Sequence, residues 1–339
     1  MHKAHHTEPR ATVGTPPEDE TPPVAEWCWH APRSATSEPV SPAVASLIGN
    51  TPLIPLQRVT DSLAPEVALY VKLEGLNPGG SVKDRPALFI VRQALGNEKL
   101  GPGKTLLDAT SGNTGIAYAM LGAAFGFPVQ LTLPADSSPE RVQILRAYGA
   151  QLVFTDPADR TEGARRVAEE LARAHPACFF HADQYANPAN SLAHTVTTGP
   201  EIWAQTAGRV THFVAGLGTG GTMTGVGAYL RARNRDVHLV GVQPDQRRHG
   251  ISGLKYLKAA NPPGNYDPTL VDMIQMVSTE EARAAARQLA RDEGLFVGIS
   301  SGAAVAAALR VARALTQGLV VALLPDGGFK YTGDPFWAE

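Results

Sequence analysis

Cysteine is scarce in this chain: two residues, Cys28 and Cys178, in 339. That excludes a disulfide framework and a thiolate cluster for zinc or iron–sulfur, and it leads us to expect a reducing, cytoplasmic setting. No apolar run approaches the roughly 20 residues that cross a bilayer, and the N-terminal stretch lacks the apolar core of a signal peptide. An excess of one charge is missing too. The 30 Lys and Arg against 32 Asp and Glu leave a net −2 with His neutral, which offers no footprint for nucleic acid or for an anionic membrane. What remains is 43% hydrophobic and 18% charged, ordinary for a globular protein and long enough for two domains.

Residues 1–43 are rich in Pro, Thr, Glu and His and poor in aliphatic side chains. We expect a disordered or loosely packed extension there. Trp27, Cys28, Trp29 and His30 stand out within it. They read as an aromatic anchor for the tail, or as a metal or haem ligand pair. Cys and His two apart, with no further ligand nearby, match none of the usual spacings, so no metal is expected.

From residue 44 the pattern alternates. Strands are expected at 67–74, 128–136 and 150–156, and helices at 83–97, 139–149 and 161–174. A strand, polar turn and helix span 105–126, and a strand runs into a polar loop over 178–190. The second half repeats this grammar. Strand, glycine loop and helix span 211–233, and a strand at DVHLVGVQP leads to a loop over 244–269. A helix with a capping box covers 278–294, strand, turn and helix cover 295–315, and a buried strand runs over 318–328. Strands alternating with helices imply an α/β fold with parallel sheets.

Three turns share one design, a strand ending in small hydroxyl and glycine residues where a helix begins: SGNTG at 111–115, GTGGT at 218–222 and SSGAA at 300–304. Helix N-termini with glycine approaches bind anions. A fourth polar turn, NPGGS, precedes Lys83, with Ser81 as the expected N-cap. A lysine in a first helical turn opposes the macrodipole. It is either a solvated surface cation or an amine kept near neutral for Schiff-base chemistry. GTGGT lacks the ending of a Walker loop. GLGTGG at 216–221 resembles a dinucleotide fingerprint, but the next strand ends at Gln243, with Asp245 two residues beyond it. A NAD-dependent dehydrogenase is therefore a minor alternative.

NPGGSVKDR, TSGNTG, GTGGT and GISSGAA, in this order and spacing, resemble the pyridoxal-phosphate enzymes of fold type II. Within them the chain is similar to the cysteine synthases (O-acetylserine sulfhydrylases), and HGISGL at 249–254 is closer to the B-type. The resemblance covers about residues 44–332. It implies two three-layer αβα domains with mostly parallel sheets: a large cofactor-binding domain of 44–87 plus 190–339, and a small mobile domain of 88–189. The implied reaction makes L-cysteine from O-acetyl-L-serine or O-phospho-L-serine and sulfide through an α-aminoacrylate. Alternatives are cystathionine β-synthase-like replacement and a non-catalytic binding scaffold.

Residue by residue, the resemblance makes Lys83 the Schiff-base lysine and the base for the α-proton. Asn113 bonds the cofactor's 3′-oxygen. Gly218, Thr219, Gly220, Gly221 and Thr222 cradle the phosphate of pyridoxal 5′-phosphate, and Ser300 partners the pyridine nitrogen. A hydroxyl does not hold that nitrogen protonated, which favours loss of a β-substituent over racemisation or transamination. Thr110, Ser111, Thr114 and Gln184 form the substrate-carboxylate site. Arg247 and Arg248 either form a solvated basic turn or bind a phosphate leaving group. A homodimer is implied, with serine acetyltransferase or a sulfur-carrier protein as partner. The ending LLPDGGFKYTGDPFWAE departs from the family's commoner one.

Overall fold

Strands β3 (Thr105–Ala109) and β4 (Val129–Pro134) are buried at every residue. Such strands must be covered on both faces, as parallel sheets are. With β5 (Gln151–Thr155) and β6 (Phe179–His181) they form a four-stranded sheet, order β5-β4-β3-β6, parallel throughout. The computed structural model describes residues 42–110, 112–257 and 262–338. One face of this sheet packs on α2 (Asp84–Gly96), α3 (Asn113–Phe125) and α4 (Pro139–Ala147), through Ile90, Ile116, Leu121 and Leu145. The other face takes Ala164 and Ala168 of α5 (Arg160–Ala174).

A second sheet has six strands: β1 (Leu53–Pro55), β2 (Val67–Leu73), β7 (His212–Gly216), β8 (His238–Pro244), β9 (Met273–Val277) and β10 (Gly318–Leu324). Their order is β1-β2-β10-β7-β8-β9, and β1 alone is antiparallel to its neighbour. Small residues of α9 (Thr279–Glu293) and α10 (Ile299–Arg313) press on one face. Met223, Val226 and Leu230 of α8 (Gly221–Arg233) press on the other. α9 begins with the expected capping box, Ser278 with Glu281. A four-residue helix, α1 (Ala43–Ser46), precedes the first strand.

The structure departs from expectation in four places. The stretch after residue 188 is helical: α6 (Ala189–Ala193), a π-helical turn (His194–Thr198) and α7 (Gly199–Gln205) run on without a break. Met273–Val277, MIQMV, is an edge strand whose outer face is exposed, so it lacks clear alternation. Residues 295–298 form no strand; Val297 makes one isolated bridge to Gly327, and the helix starts at Ile299. Ser81 does not cap α2. It bridges Asp326, its hydroxyl accepts from the Lys83 N–H at 3.2 Å, and Lys83 holds the cap position.

Beneath α2 lies a buried charge network. The Arg85 guanidinium donates to both oxygens of Glu74 (2.7 and 2.8 Å) and to both oxygens of Glu201 (2.6 and 2.8 Å). The Lys72 ammonium donates to Glu201, to Gln205 Oε1 and to the Thr51 carbonyl. Lys72, Glu74 and Arg85 are essentially sealed from solvent. Two cations and two carboxylates cancel, and bidentate geometry satisfies the fork. Removing one partner strands the others, at a cost of about 3–5 kcal/mol.

Arg85→Met should therefore lower the unfolding free energy in urea by about 3 kcal/mol or more. Asp159→Asn, which breaks the exposed pair with Arg166, should cost less than about 1 kcal/mol. Burial pushes the Glu201 carboxyl up, but Arg85 and Lys72 pull it down to about 2. A depressed carboxylate stabilises the fold above its ordinary value and loses that contribution as pH falls. Stability should thus decline between pH 4.5 and about 2, and an acid titration of Glu201→Gln should lack that component.

Candidate active site

The carboxyl ends of β3, β7 and β10 open onto one cavity, where Ala109, Gly216 and Leu323 give way to the following loops. Ligands collect at such strand ends in open α/β sheets. Lys83 lines this cavity, two residues ahead of the Arg85 anchor. Burial lowers its amine from the ordinary 10.5, while the carboxylates of Asp326 and Glu74 oppose the shift. An amine so placed is biased towards its neutral, nucleophilic form.

Across the cavity stand Gly218, Thr219, Gly220 and Thr222; Gly221, the first residue of α8, is not among the lining residues. The first hydrogen bond closing α8 is from the Thr224 N–H to the Gly220 carbonyl, so the preceding N–H groups have no helical acceptor. Gly220 sits at φ +85°, where a side chain is strained, and a Cβ there would also strike Tyr266 at 2.5 Å. A Cβ on Gly218 would lie 2.3 Å from the Gly253 carbonyl. Bare backbone donors at a helix N-terminus suit a phosphate dianion.

Ser300 and Ser301 are adjacent in the first turn of α10, so the SSGAA segment is helix and not loop. Ser301 is fully buried and its hydroxyl donates to the Asp326 carbonyl at 3.2 Å. Ser300 is the one that lines the cavity. Asn113, the first residue of α3, has its amide fixed at both ends. Its Nδ2 donates to Asp326 Oδ2 at 2.8 Å, and its Oδ1 accepts from Lys330 Nζ at 2.6 Å. The same ammonium donates to the Gly80 carbonyl at 2.9 Å and to Gly79 at 3.2 Å, and the Tyr331 hydroxyl donates to Asp326. The unusual ending thus takes part in the site: Tyr331 lines the cavity and Lys330 braces Asn113.

On the small-sheet side stand Thr110, Thr114 and Gln184. Thr114 Oγ1 donates to Gln184 Oε1 at 2.6 Å, which leaves the Gln184 amide hydrogens to other acceptors. The Gln184 backbone is clamped by three side chains. Asn190 Nδ2 and Asn265 Nδ2 donate to its carbonyl, and its N–H donates to Asp108, whose carboxyl burial raises to about 7. Asn190 Nδ2 also reaches Thr219 Oγ1 at 3.2 Å, joining the two anion-facing parts. Ser111, Cys28 and His30 lie outside the described residues.

Arg247 and Arg248 are exposed and are not among the cavity-lining residues. Their loop turns back before the cavity and presents Ser252, Gly253 and Leu254 instead. The arginine at the cavity is Arg141, in the first turn of α4, its guanidinium carbon 5.0 Å from the Tyr331 ring centre. Sequence reasoning missed it, although it carries the signal that singles out Lys83, a cation against a helix N-terminus. Tyr185 also lines the cavity, with Arg165 and Lys255 stacked on its ring at 4.9 and 4.1 Å. Among the described residues no group of His, Cys, Asp and Glu gathers with metal-ligating spacing, and no helix is long and apolar enough to cross a membrane.

The donor set fits pyridoxal 5′-phosphate. It combines a glycine cradle with unpaired N–H groups, a depressed lysine amine, a cavity serine and a fixed asparagine amide. Comparison with known proteins agrees. The profile of a family described as "Pyridoxal-phosphate dependent enzyme" matches residues 44–326. The chain is similar to a cysteine synthase of Aquifex aeolicus, 48% identical over 293 residues, which are 85% of this chain and 90% of that protein. It is similar to cysteine synthase B of Salmonella typhimurium, 44% identical over 292 residues, 86% of this chain and 95% of the relative. Among solved structures, a cysteine synthase of Entamoeba histolytica superposes with a TM-score of 0.84 at 33% identity, covering 91% of this chain and 93% of that one.

Attachment of pyridoxal 5′-phosphate to Lys83 of the apoprotein, followed by absorbance, should accelerate with pH around a midpoint below 10.5. Asp326→Asn removes a charge that favours the ammonium, so its midpoint should lie lower still.

Proposed function

The chain belongs to the family of pyridoxal-phosphate dependent enzymes, and on that premise we propose that it makes L-cysteine by replacing the β-substituent of O-acetyl-L-serine with sulfide. One observation carries the reading. A lysine amine depressed by burial shares a cavity with an anion cradle, a carboxylate-sized set of amide and hydroxyl donors, and a neutral serine hydroxyl. When bound, the cofactor supplies an aldehyde that takes up an amine and a ring that withdraws electrons from the carbon carrying that amine. Lys83, the 218–222 loop, Asn113 and Ser300 are the residues that would hold it.

The protein's own groups then divide the work. Lys83, whose amine is depressed by burial at the cavity, would serve as the base for the substrate's α-proton. It takes that proton and later returns it. Thr110 and the Gln184 amide hydrogens, freed by Thr114, bind the substrate carboxylate. That contact fixes which face of the α-carbon meets Lys83. Ser300 offers a hydroxyl and no charge, which favours departure of a β-leaving group over proton return at other positions. The nearby carboxylate of Asp326 has an oxygen engaged by Asn113 and Tyr331.

Arg141 favours a second reading of the leaving group. A guanidinium at the cavity can meet a departing phosphate as well as an acetate, so O-phospho-L-serine is an alternative donor. Lys83→Ala should abolish cysteine formation from either ester and sulfide, a fall of at least about 10²–10⁴-fold. Arg141→Ala should lower kcat/KM for O-phospho-L-serine more than for O-acetyl-L-serine, by about tenfold or more. Arg247→Ala and Arg248→Ala should leave that ratio unchanged. Failure of the holoenzyme to form cysteine from either ester would overturn the reading.

A further inference from the structure

The cavity's motifs leave one buried imidazole behind them unexplained. His194 opens the π-helical turn His194–Thr198, and it is 1% exposed. Such turns are uncommon and concentrate at functional sites. Its Nδ1 lies 2.9 Å from Thr198 Oγ1, and its Nε2 lies 3.2 Å from Thr222 Oγ1. Thr222 in turn lines the cavity at the start of α8. Glycine makes the approach feasible: a Cβ on Gly225 would fall 2.7 Å from His194 Cβ and 2.2 Å from the Ser191 carbonyl. The result is a line of three buried side chains, Thr198, His194 and Thr222, ending at the anion cradle.

We infer that His194 is a positioning residue that holds the Thr222 hydroxyl as a hydrogen-bond donor aimed at the cofactor phosphate, with Thr198 fixing its tautomer. The inference rests on the assignment of the 218–222 loop to that phosphate. The ring is neutral, because burial, with the charges of Arg85 and Lys83, pushes it well below its ordinary value. A neutral imidazole has one N–H and one lone pair, so two hydroxyls on either side permit two chains of opposite sense. In one, Thr198 donates to Nδ1, Nε2–H donates to Thr222 Oγ1, and the Thr222 proton is left for the cavity. In the other, Thr222 spends its only proton on Nε2 and turns lone pairs towards a dianion. The dianion selects the first, and the chain delivers a charge-assisted hydrogen bond without placing another cation beside Arg85.

The test compares binding of pyridoxal 5′-phosphate and of pyridoxal, which keeps the aldehyde but lacks the phosphate, to apoproteins checked by thermal melting. Thr222→Val should weaken the phosphate ester by about 10–100-fold and leave pyridoxal nearly unchanged. His194→Leu should shift the ratio of the two dissociation constants in the same direction by about tenfold. The double variant should fall no further than Thr222→Val alone. His194→Gln, whose amide can present an N–H near the position of Nε2–H, should restore the ratio. The ³¹P resonance of the bound phosphate should move in His194→Leu and return in His194→Gln. An unchanged ratio in His194→Leu, an equal loss for pyridoxal, or a Gln variant that falls as far as Leu would reduce His194 to packing and overturn the inference. An unchanged ratio in Thr222→Val would show that its hydroxyl does not reach the phosphate and would overturn the relay.

Discussion

The double fork of Arg85 on Glu74 and Glu201 is the constraint on which the rest depends. It ties α7, which lies far along the chain, to the end of β2 and the first turn of α2. Lys83 stands two residues before it, so the position of the amine is inherited from a charge cluster it never touches. A buried cluster of this kind contributes little net stability compared with apolar packing. Its value is geometric, because bidentate bonds fix the angle of a helix start more tightly than aliphatic contacts do.

A second principle runs through the site. Its anion-facing groups are mostly neutral donors: glycine N–H groups, the hydroxyls of Thr110, Thr222 and Ser300, and amides whose oxygens are already engaged. Thr114 occupies the Gln184 oxygen, and Lys330 occupies that of Asn113. At Gln184 the neighbour takes the acceptor end of an ambivalent group and leaves the donor end for the ligand, whereas the Asn113 amide also donates to Asp326 and is held at both ends. Burial among them depresses the Lys83 amine, against the opposing carboxylates of Asp326 and Glu74.

Much of this was legible in the sequence. The alternation of strands and helices, the parallel sheets and the helix starts near Lys83, Asn113, Gly218–Thr222 and Ser300 all follow from local chemistry: turn formers, glycines at anion-binding helix starts, and apolar runs. What failed was whatever depends on distant pairing. The pairing of Arg85 with Glu201 spans 116 residues and leaves no local trace. The helical run after residue 188 has a Thr-rich, Gly- and Pro-bearing sequence (NSLAHTVTTGPEIW), whose propensity argues for loop; packing on α2 and α8 overrides it. Arg247 and Arg248 drew attention as a basic pair in the 244–269 loop, but backbone path decides which residues of a loop face inward, and periodicity does not report it. That Ser300 and not Ser301 lines the cavity turns on one helical step.

The order of the six-stranded sheet carries a consequence for how the chain is made. β10, the last strand to be synthesised, lies in the middle, between β2 and β7. Until it arrives the larger sheet exists as two fragments with apolar edges and no shared neighbour. The four-stranded sheet, by contrast, draws on residues 105–181 alone and can close much earlier on the ribosome. Nascent chains therefore carry a finished small sheet beside an open large one. The segment that follows β10 brings Asp326, Lys330 and Tyr331 to the cavity, so assembly of the large sheet and completion of the site are one late event.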